Sequence, residues 1–181
     1  GNNLISSWNK SWIKLPRMIS QKLASIIKSK KDEVYVGSST SINLFKLIKS
    51  ILQSNKSIKN ISTDNLNFPS DKYICELIAK DFKIDFNFLD YGSDLMADIE
   101  QLKEFIKEKR GIIVLSHVAY KSSYRYPIKE ISKFCRDNNT VVIWDLSHSI
   151  GAVNIDMGLN QVDYATVSYT HLRAHETVRN L

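Results

Sequence analysis

Two short apolar runs constrain the fold of this chain more than any other feature. They are GIIVL at 111–115 and TVVIW at 140–144, and runs of this kind are typical of strands that are buried on both faces of a parallel sheet. Between such runs lie segments with apolar residues every three or four positions, the spacing of amphipathic helices. Repeated strand–helix units predict an α/β fold of three αβα layers with a mostly parallel sheet.

The same alternation divides most of the chain into predicted elements. Helices are predicted at about 16–30, 42–52, 71–80, 95–109 and 128–138. Strands are predicted at about 33–36, 57–62, 84–88, 111–115, 140–144 and 162–166. Ligands of such sheets bind beyond the carboxyl ends of the strands. The polar residues that follow each strand are therefore the candidates for function.

Composition narrows the class of protein. The 181 residues include 25 Lys and Arg against 19 Asp and Glu, a net charge of +6. No basic stripe is interleaved with aromatic residues, which favours a solvated surface over a nucleic-acid site. No apolar run approaches the ~20 residues of a membrane helix, so no membrane association is expected. Cys75 and Cys135 are too few for a disulfide framework or a four-cysteine zinc site, which favours a cytoplasmic protein without a metal ion.

Polar and aromatic residues follow the first two predicted strands. The hydroxyl-rich run Ser38-Ser39-Thr40-Ser41 begins a helix after the first strand, where free backbone N–H groups suit a phosphate. Simple N-capping explains the same hydroxyl groups. The loop NFPSD at 67–71 follows the second strand. Its polar residues are alternatively helix caps, and its aromatic residue is alternatively part of the core.

The run WDLSHSIG at 144–151 is the most informative. Asp145 ends an apolar strand, where a carboxylate is costly unless a cation or a hydrogen-bond donor meets it. The pyridinium of pyridoxal phosphate (PLP) is such a partner. The alternative is a carboxylate that caps the next turn, with His148 at the surface. Ser116 and His117 follow the GIIVL strand, and together these groups can bracket one flat, phosphorylated heterocycle, to which a Schiff-base lysine must be added.

Four stretches resemble the kynureninase family of PLP enzymes. They read LISSWNKSWIKLP, STSINLFKLI, NFPSD and WDLSHSIGAVNID, and the similarity runs in order from about residue 4 to residue 166. The resemblance implies the aspartate-aminotransferase fold in its class V-like branch, with residues 1–166 as an incomplete PLP-binding large domain. It also implies hydrolysis of L-kynurenine or 3-hydroxykynurenine to an anthranilate and L-alanine. The family's enzymes are cytoplasmic homodimers of tryptophan catabolism and NAD biosynthesis.

The resemblance also implies nine cofactor-binding positions. Thr40 and Ser41 match the residues that bind the phosphate, and Ser116 matches the small hydroxyl residue after the buried strand. Asp145 matches the acid that pairs with the pyridine nitrogen, and His148 matches the histidine beside the ring. The cofactor loop, whose aromatic side chain stacks on the pyridine, corresponds to Phe68, Pro69, Ser70 and Asp71.

The chain departs from the family after residue 166. The family has a Tyr-Lys pair there, and its lysine holds the cofactor; this chain has His171 near that position and no lysine after Lys133. The run VSYTHLRAHET resembles the translation of a transposase adapter used in sequencing libraries. We therefore expect residues 167–181 to be a non-native tail and the chain as it stands to be inactive. The alternatives are another class V-like enzyme, of the cysteine desulfurase or epimerase type, or a non-catalytic relative that binds a phosphorylated ligand.

Overall fold

Five parallel strands form one sheet, which confirms the predicted α/β class. The computed structural model describes Trp8 and residues 12–168. The strands are β1 (Asn60–Asp64), β2 (Asp85–Leu89), β3 (Ile112–Ser116), β4 (Val141–Asp145) and β5 (Tyr164–Thr166). Their order is β2-β1-β3-β4-β5. The chain therefore moves from β1 to one side for β2 and then crosses to the other side for β3.

Helices cover both faces of the sheet, as the three-layer prediction requires. They are α1 (Leu15–Ile27), α2 (Thr40–Ser54), α3 (Pro69–Phe82), α4 (Ile99–Glu108) and α5 (Ile128–Asp137), with a short 3-10 turn at Trp12–Lys14. Helices α2 and α3 pack on one face, in a core with Ile61, Val114 and Ile143. Helices α4 and α5 pack on the other, in a core with Ile113, Leu115 and Trp144. Within the described residues, no helix is long and apolar enough to cross a membrane.

The strand predicted at 33–36 is wrong. These residues are irregular, and in the described part of the chain they join neither edge of the sheet. Tyr35 is 71% exposed, and Val34 and Val36 are only partly buried. The β-branched residues of EVYV carry strand propensity, but propensity reflects packing on a neighbouring strand and does not supply that neighbour.

The other predicted elements are present with shifted ends, and local capping explains the shifts. Helix α1 stops at Ile27 rather than near residue 30 because Lys28 adopts a left-handed conformation with φ of 53°. Helix α4 begins at Ile99 rather than near residue 95 because the Asp98 side chain accepts hydrogen bonds from two first-turn N–H groups. Helix α3 begins two residues early, at Pro69, whose ring suits the first turn.

Candidate functional site

Polar residues collect at the carboxyl edge of the sheet, around the gap between β1 and β3. The strand order reverses at this gap, and α/β sheets bind ligands at such switch points. Asp64, Ser116 and Asp145 end β1, β3 and β4, and each is at most 4% exposed. Ser116 and Asp145 are direct partners in the parallel register. The fold therefore brings two of the predicted cofactor-binding residues side by side.

Alternation along the strands fixes the face on which these groups lie. Val114 and Ile143 pack beneath α2 and α3, so Ser116 and Asp145, two positions further along, face the same side. Asp71 lies in the first turn of α3 and is 1% exposed. Burial and the nearby Asp145 carboxylate raise the pKa of Asp71 to about 7. Two predicted acids thus meet above one face of the sheet.

The Asp71 carboxylate has fewer partners than its burial demands. Ser70 Oγ donates to Asp71 Oδ1 at 3.4 Å, a long hydrogen bond. Asp71 Oδ2 is buried, and among the described residues it has no hydrogen-bond partner. Two neighbouring carboxylates in a low-dielectric site favour a shared proton or a cationic ligand. The pair is therefore a place where a protonated group of a ligand would fit.

Asp145 also caps the turn that follows β4. The backbone N–H of Ser147 donates to Asp145 Oδ1 at 2.8 Å, and Ser147 Oγ donates to the same oxygen at 2.5 Å. The alternative role that the sequence suggested for Asp145, a cap of the next turn, is therefore observed for its Oδ1 atom. These donors fix the orientation of the carboxylate.

Aromatic rings cluster around Phe68, at the start of the helix that carries Asp71. Phe68 is 41% exposed, so it is not the core residue that the sequence left as an alternative. Its ring centroid lies 5.1 Å from that of Tyr120, edge to face, and 6.5 Å from that of His148. Sequence analysis missed Tyr120, although an aromatic residue four positions after Ser116 was a usable signal. The exposed ring of Phe68 suits the face of a flat heterocycle.

Thr40 and Ser41 open helix α2, but neither is the N-cap. That position belongs to Ser39, whose side chain accepts a hydrogen bond from the N–H of Ile42 at 3.3 Å. The N-capping alternative therefore applies to Ser39, and the two predicted phosphate-binding hydroxyls lie in the first turn. Helix α2 contacts β5, the strand next to Asp145 on β4. A helix N-terminus is a favourable site for a phosphate.

The acids and the exposed aromatic ring of this site fit the ring of pyridoxal phosphate. The orphaned oxygen of Asp71 beside Asp145 suits a protonated ring nitrogen, and the exposed Phe68 ring suits its flat face. The position of the missing lysine, near His171, lies outside the described residues, as do residues 169–181 of the predicted tail. No cluster of three or more potential metal ligands occurs in residues 12–168.

Comparison with known proteins places this chain in a family. The model of the family described as "Aminotransferase class-V" matches residues 2–171. The chain is 35% identical over 170 residues to kynureninase of Pseudomonas fluorescens, covering 91% of this chain and 40% of that enzyme. It is 32% identical over 162 residues to kynureninase of Burkholderia pseudomallei, covering 87% of this chain and 38% of that enzyme. The chain thus spans about two-fifths of the length of these relatives.

Solved structures share the fold at lower identity. A mutant of C-DES with glycine covalently linked to its PLP cofactor superposes with a TM-score of 0.76 at 18% identity, covering 91% of this chain and 44% of that one. The apo cysteine desulfurase of Thermococcus onnurineus superposes with a TM-score of 0.73 at 19% identity, covering 84% of this chain and 38% of that one. From its sequence and its fold, the chain belongs to the class V aminotransferase family, and its relatives imply pyridoxal phosphate as the cofactor.

Proposed function

We propose that this chain is the cofactor-binding portion of a kynureninase-type hydrolase. The complete enzyme would cleave the Cβ–Cγ bond of L-kynurenine or 3-hydroxykynurenine and release an anthranilate and L-alanine. The observation that carries the proposal is the pair of buried, interacting carboxylates of Asp71 and Asp145, with the exposed Phe68 three residues before Asp71. It is supported by the identity to kynureninases along most of the chain.

Each residue of the site has a separate task in this proposal. Asp145, oriented by Ser147, holds the protonated ring nitrogen. Asp71 shares that positive charge through Oδ2, which has no hydrogen-bond partner in the part of the chain that the structure describes. Phe68 stacks on one face of the ring, and His148 lies at the ring's edge, near the 3-oxygen. Thr40 and Ser41 bind the phosphate. Pro69 and Ser70 shape the cofactor loop, and Ser116 is the small hydroxyl residue after β3.

The chemistry of the reaction divides between cofactor and chain. Bound PLP supplies an electron sink for the negative charge left when a proton or a carbon leaves the substrate. The acids on this chain keep the ring nitrogen protonated, since their negative charges raise its affinity for a proton. Phe68 and Tyr120 cover the ring and exclude water from that side.

A chain without the cofactor-holding lysine lacks the covalent anchor, so we propose that residues 167–181 are not native. Resequencing the source DNA across codon 166 tests this directly, with a Tyr-Lys pair as the expected result. A genuine HLRAHET sequence that continues into a second domain would instead favour a non-catalytic binder of a phosphorylated ligand. Homodimerisation, a cytoplasmic location and a role in tryptophan catabolism belong to the same proposal.

Substrate assays on the completed gene test the activity. L-Kynurenine should yield fluorescent anthranilate, and L-cysteine should yield no sulfide. The fold likeness to a cysteine desulfurase makes sulfide release the relevant competing result. Release of sulfide without anthranilate would replace kynureninase by a desulfurase. Asp145→Ala should abolish turnover in either case, because it removes the partner of the ring nitrogen.

A further inference from the structure

We propose that Asn67 is a positioning residue that sets the cofactor face of the site without touching the cofactor. Its effect on ligand binding rests on the proposed function, whereas its effect on the loop does not. The resemblance to known enzymes assigned no role to this position. The inference comes from the hydrogen bonds of its side chain.

The Asn67 amide is 95% buried and uses its full hydrogen-bonding capacity. Its Nδ2 donates to Thr63 Oγ1 at 2.9 Å and to the Val114 carbonyl at 3.2 Å. Its Oδ1 accepts from Ser116 Oγ at 2.6 Å and from the Phe68 N–H at 2.9 Å. One side chain therefore ties the end of β1, the end of β3 and the start of the cofactor loop together at the switch point. We call these four hydrogen bonds the Asn67 clamp.

The backbone of the same loop is anchored from the opposite face of the sheet. Asp64 Oδ1 accepts from the N–H groups of Leu66 and Asn67, both at 3.0 Å. Asp64 Oδ2 accepts from the hydroxyl of Tyr126 at 2.6 Å. Asp64 therefore holds the backbone from which the Asn67 amide reaches both strands. The clamp is therefore a built feature of the fold.

Two consequences for the ligand follow from the clamp. The Phe68 N–H is held by Asn67, so the half-exposed Phe68 ring is presented from a fixed backbone. The hydroxyl proton of Ser116 is committed to Asn67, so Ser116 presents only lone pairs to a ligand. Fixing both groups before binding lowers the entropic cost of binding. Loss of the clamp should therefore weaken binding without removing any contact with the ligand.

A matched control amide lies at the opposite end of the same strand. Asn60 begins β1, donates from Nδ2 to the Arg110 carbonyl at 3.1 Å and accepts from Asn87 Nδ2 at 3.1 Å. Asn60→Ala therefore removes two side-chain amide hydrogen bonds at the other end of β1, and serves as the control for loss of an amide from this strand. Asn67→Ala removes the whole clamp. Asn67→Asp keeps the acceptor for Ser116 and Phe68 but loses both donors, so its effect should lie between those of the wild type and Asn67→Ala.

The first measurement is amide hydrogen exchange on the 181-residue chain without ligand. In Asn67→Ala, the Phe68 amide should exchange about tenfold faster relative to the Leu115 amide in the same chain, as expected for a lost hydrogen bond of about 1.4 kcal/mol. In Asn60→Ala, that ratio should not change. An unchanged ratio in Asn67→Ala would overturn the clamp. Should Asn67→Ala not fold, the same comparison is made with Asn67→Leu, which also removes the acceptor of the Phe68 N–H and fills a similar volume.

The second measurement is a titration with pyridoxal phosphate, followed by protein fluorescence and by induced circular dichroism of the cofactor band. Asn67→Ala should weaken binding about tenfold and reduce the dichroism of each bound cofactor, a sign that the ring is less fixed. Asn60→Ala should change neither. Faster Phe68 exchange with unchanged dichroism and affinity would overturn the positioning role. A wild-type chain that binds no cofactor would overturn the proposed function, and the exchange ratio alone would then decide whether the clamp exists.

Discussion

Two buried acids at the same corner of the sheet, Asp64 and Asp71, have opposite surroundings. Asp64 is 2% exposed and Asp71 is 1% exposed. Burial is the main cause that raises both pKa values, to about 6 for Asp64 and to about 7 for Asp71. Asp64 accepts hydrogen bonds from Tyr126 and from two backbone N–H groups. Asp71 has one long hydrogen bond, from Ser70, and a second carboxylate for a neighbour.

The difference separates a structural acid from an acid suited to a ligand. The fold supplies every donor that Asp64 needs, so its carboxylate stabilises the loop after β1. The fold leaves one oxygen of Asp71 without a partner among the described residues, which costs stability until a donor arrives. Local rules broken at one place in a well-packed sheet are expected at a functional site. The predictions below test this contrast.

The largest effect is expected for Asp64→Ala. The substitution leaves the Tyr126 hydroxyl and two loop N–H groups buried without an acceptor, so the free energy of unfolding should fall by about 3 kcal/mol. Urea denaturation of the ligand-free chain measures this. A loss as small as that of a surface substitution would mean that Asp64 is not the anchor of the loop.

Asp71→Asn should raise the free energy of unfolding, whereas Asp64→Ala lowers it. The Asp71 carboxyl has a pKa of about 7 in the folded state, whereas the ordinary pKa of an Asp side chain is 3.8. Between these values the folded chain binds more protons, so Asp71 makes the chain progressively less stable as pH rises through this interval. The Asn variant should match the wild type near pH 4 and exceed it by about 2 kcal/mol above pH 7.

Urea denaturation at a series of pH values checks this prediction, with Asp64→Asn as the paired variant. A difference that does not depend on pH would place the cause in packing rather than in the charge of Asp71. Asp71→Asn should also bind pyridoxal phosphate more weakly. The two measurements together then distinguish the effect of Asp71 on stability from its effect on cofactor binding.

The strands that could be predicted from the sequence are those with a continuous apolar run, together with the polar residues that directly follow them. The apolar run at 111–115 made β3 predictable, and its end located Ser116, just as the end of TVVIW located Asp145. The Asn67 clamp was not predictable in this way. Its partners Val114 and Ser116 lie 47 and 49 residues away in sequence, and the strand order that joins them depends on a crossover. The prediction of a strand at EVYV was wrong for the same reason, because strand pairing depends on a neighbouring strand that the local sequence does not reveal.

Phe68→Ala should separate ligand binding from stability. Stacking of an aromatic ring on a flat heterocycle contributes about 1–1.5 kcal/mol, so the affinity for pyridoxal phosphate should fall about tenfold. The stability of the ligand-free chain should change little, because the ring is already 41% exposed. Phe88→Ala is the matched control: its ring is 38% exposed on the edge strand, with Lys72 Nζ 4.1 Å from its centroid. Equal losses of affinity in both variants would contradict the stacking of Phe68 on the cofactor.

The smallest effect is expected at His117, whose titration opposes that of the two acids. Burial, helped by the charge of Arg125, lowers the pKa of His117 to about 4, below the 6.5 of the unfolded state. The folded chain therefore binds fewer protons in this interval, and His117 makes it less stable as pH falls from about 6.5 to 4. His117→Gln should be more stable than the wild type by about 1 kcal/mol at pH 5, relative to the difference at pH 8, as measured by urea denaturation. An equal difference in the free energy of unfolding at pH 5 and pH 8 would contradict the lowered pKa of His117. The pH dependence of stability between pH 4 and 7 would then be assigned to Asp64 and Asp71.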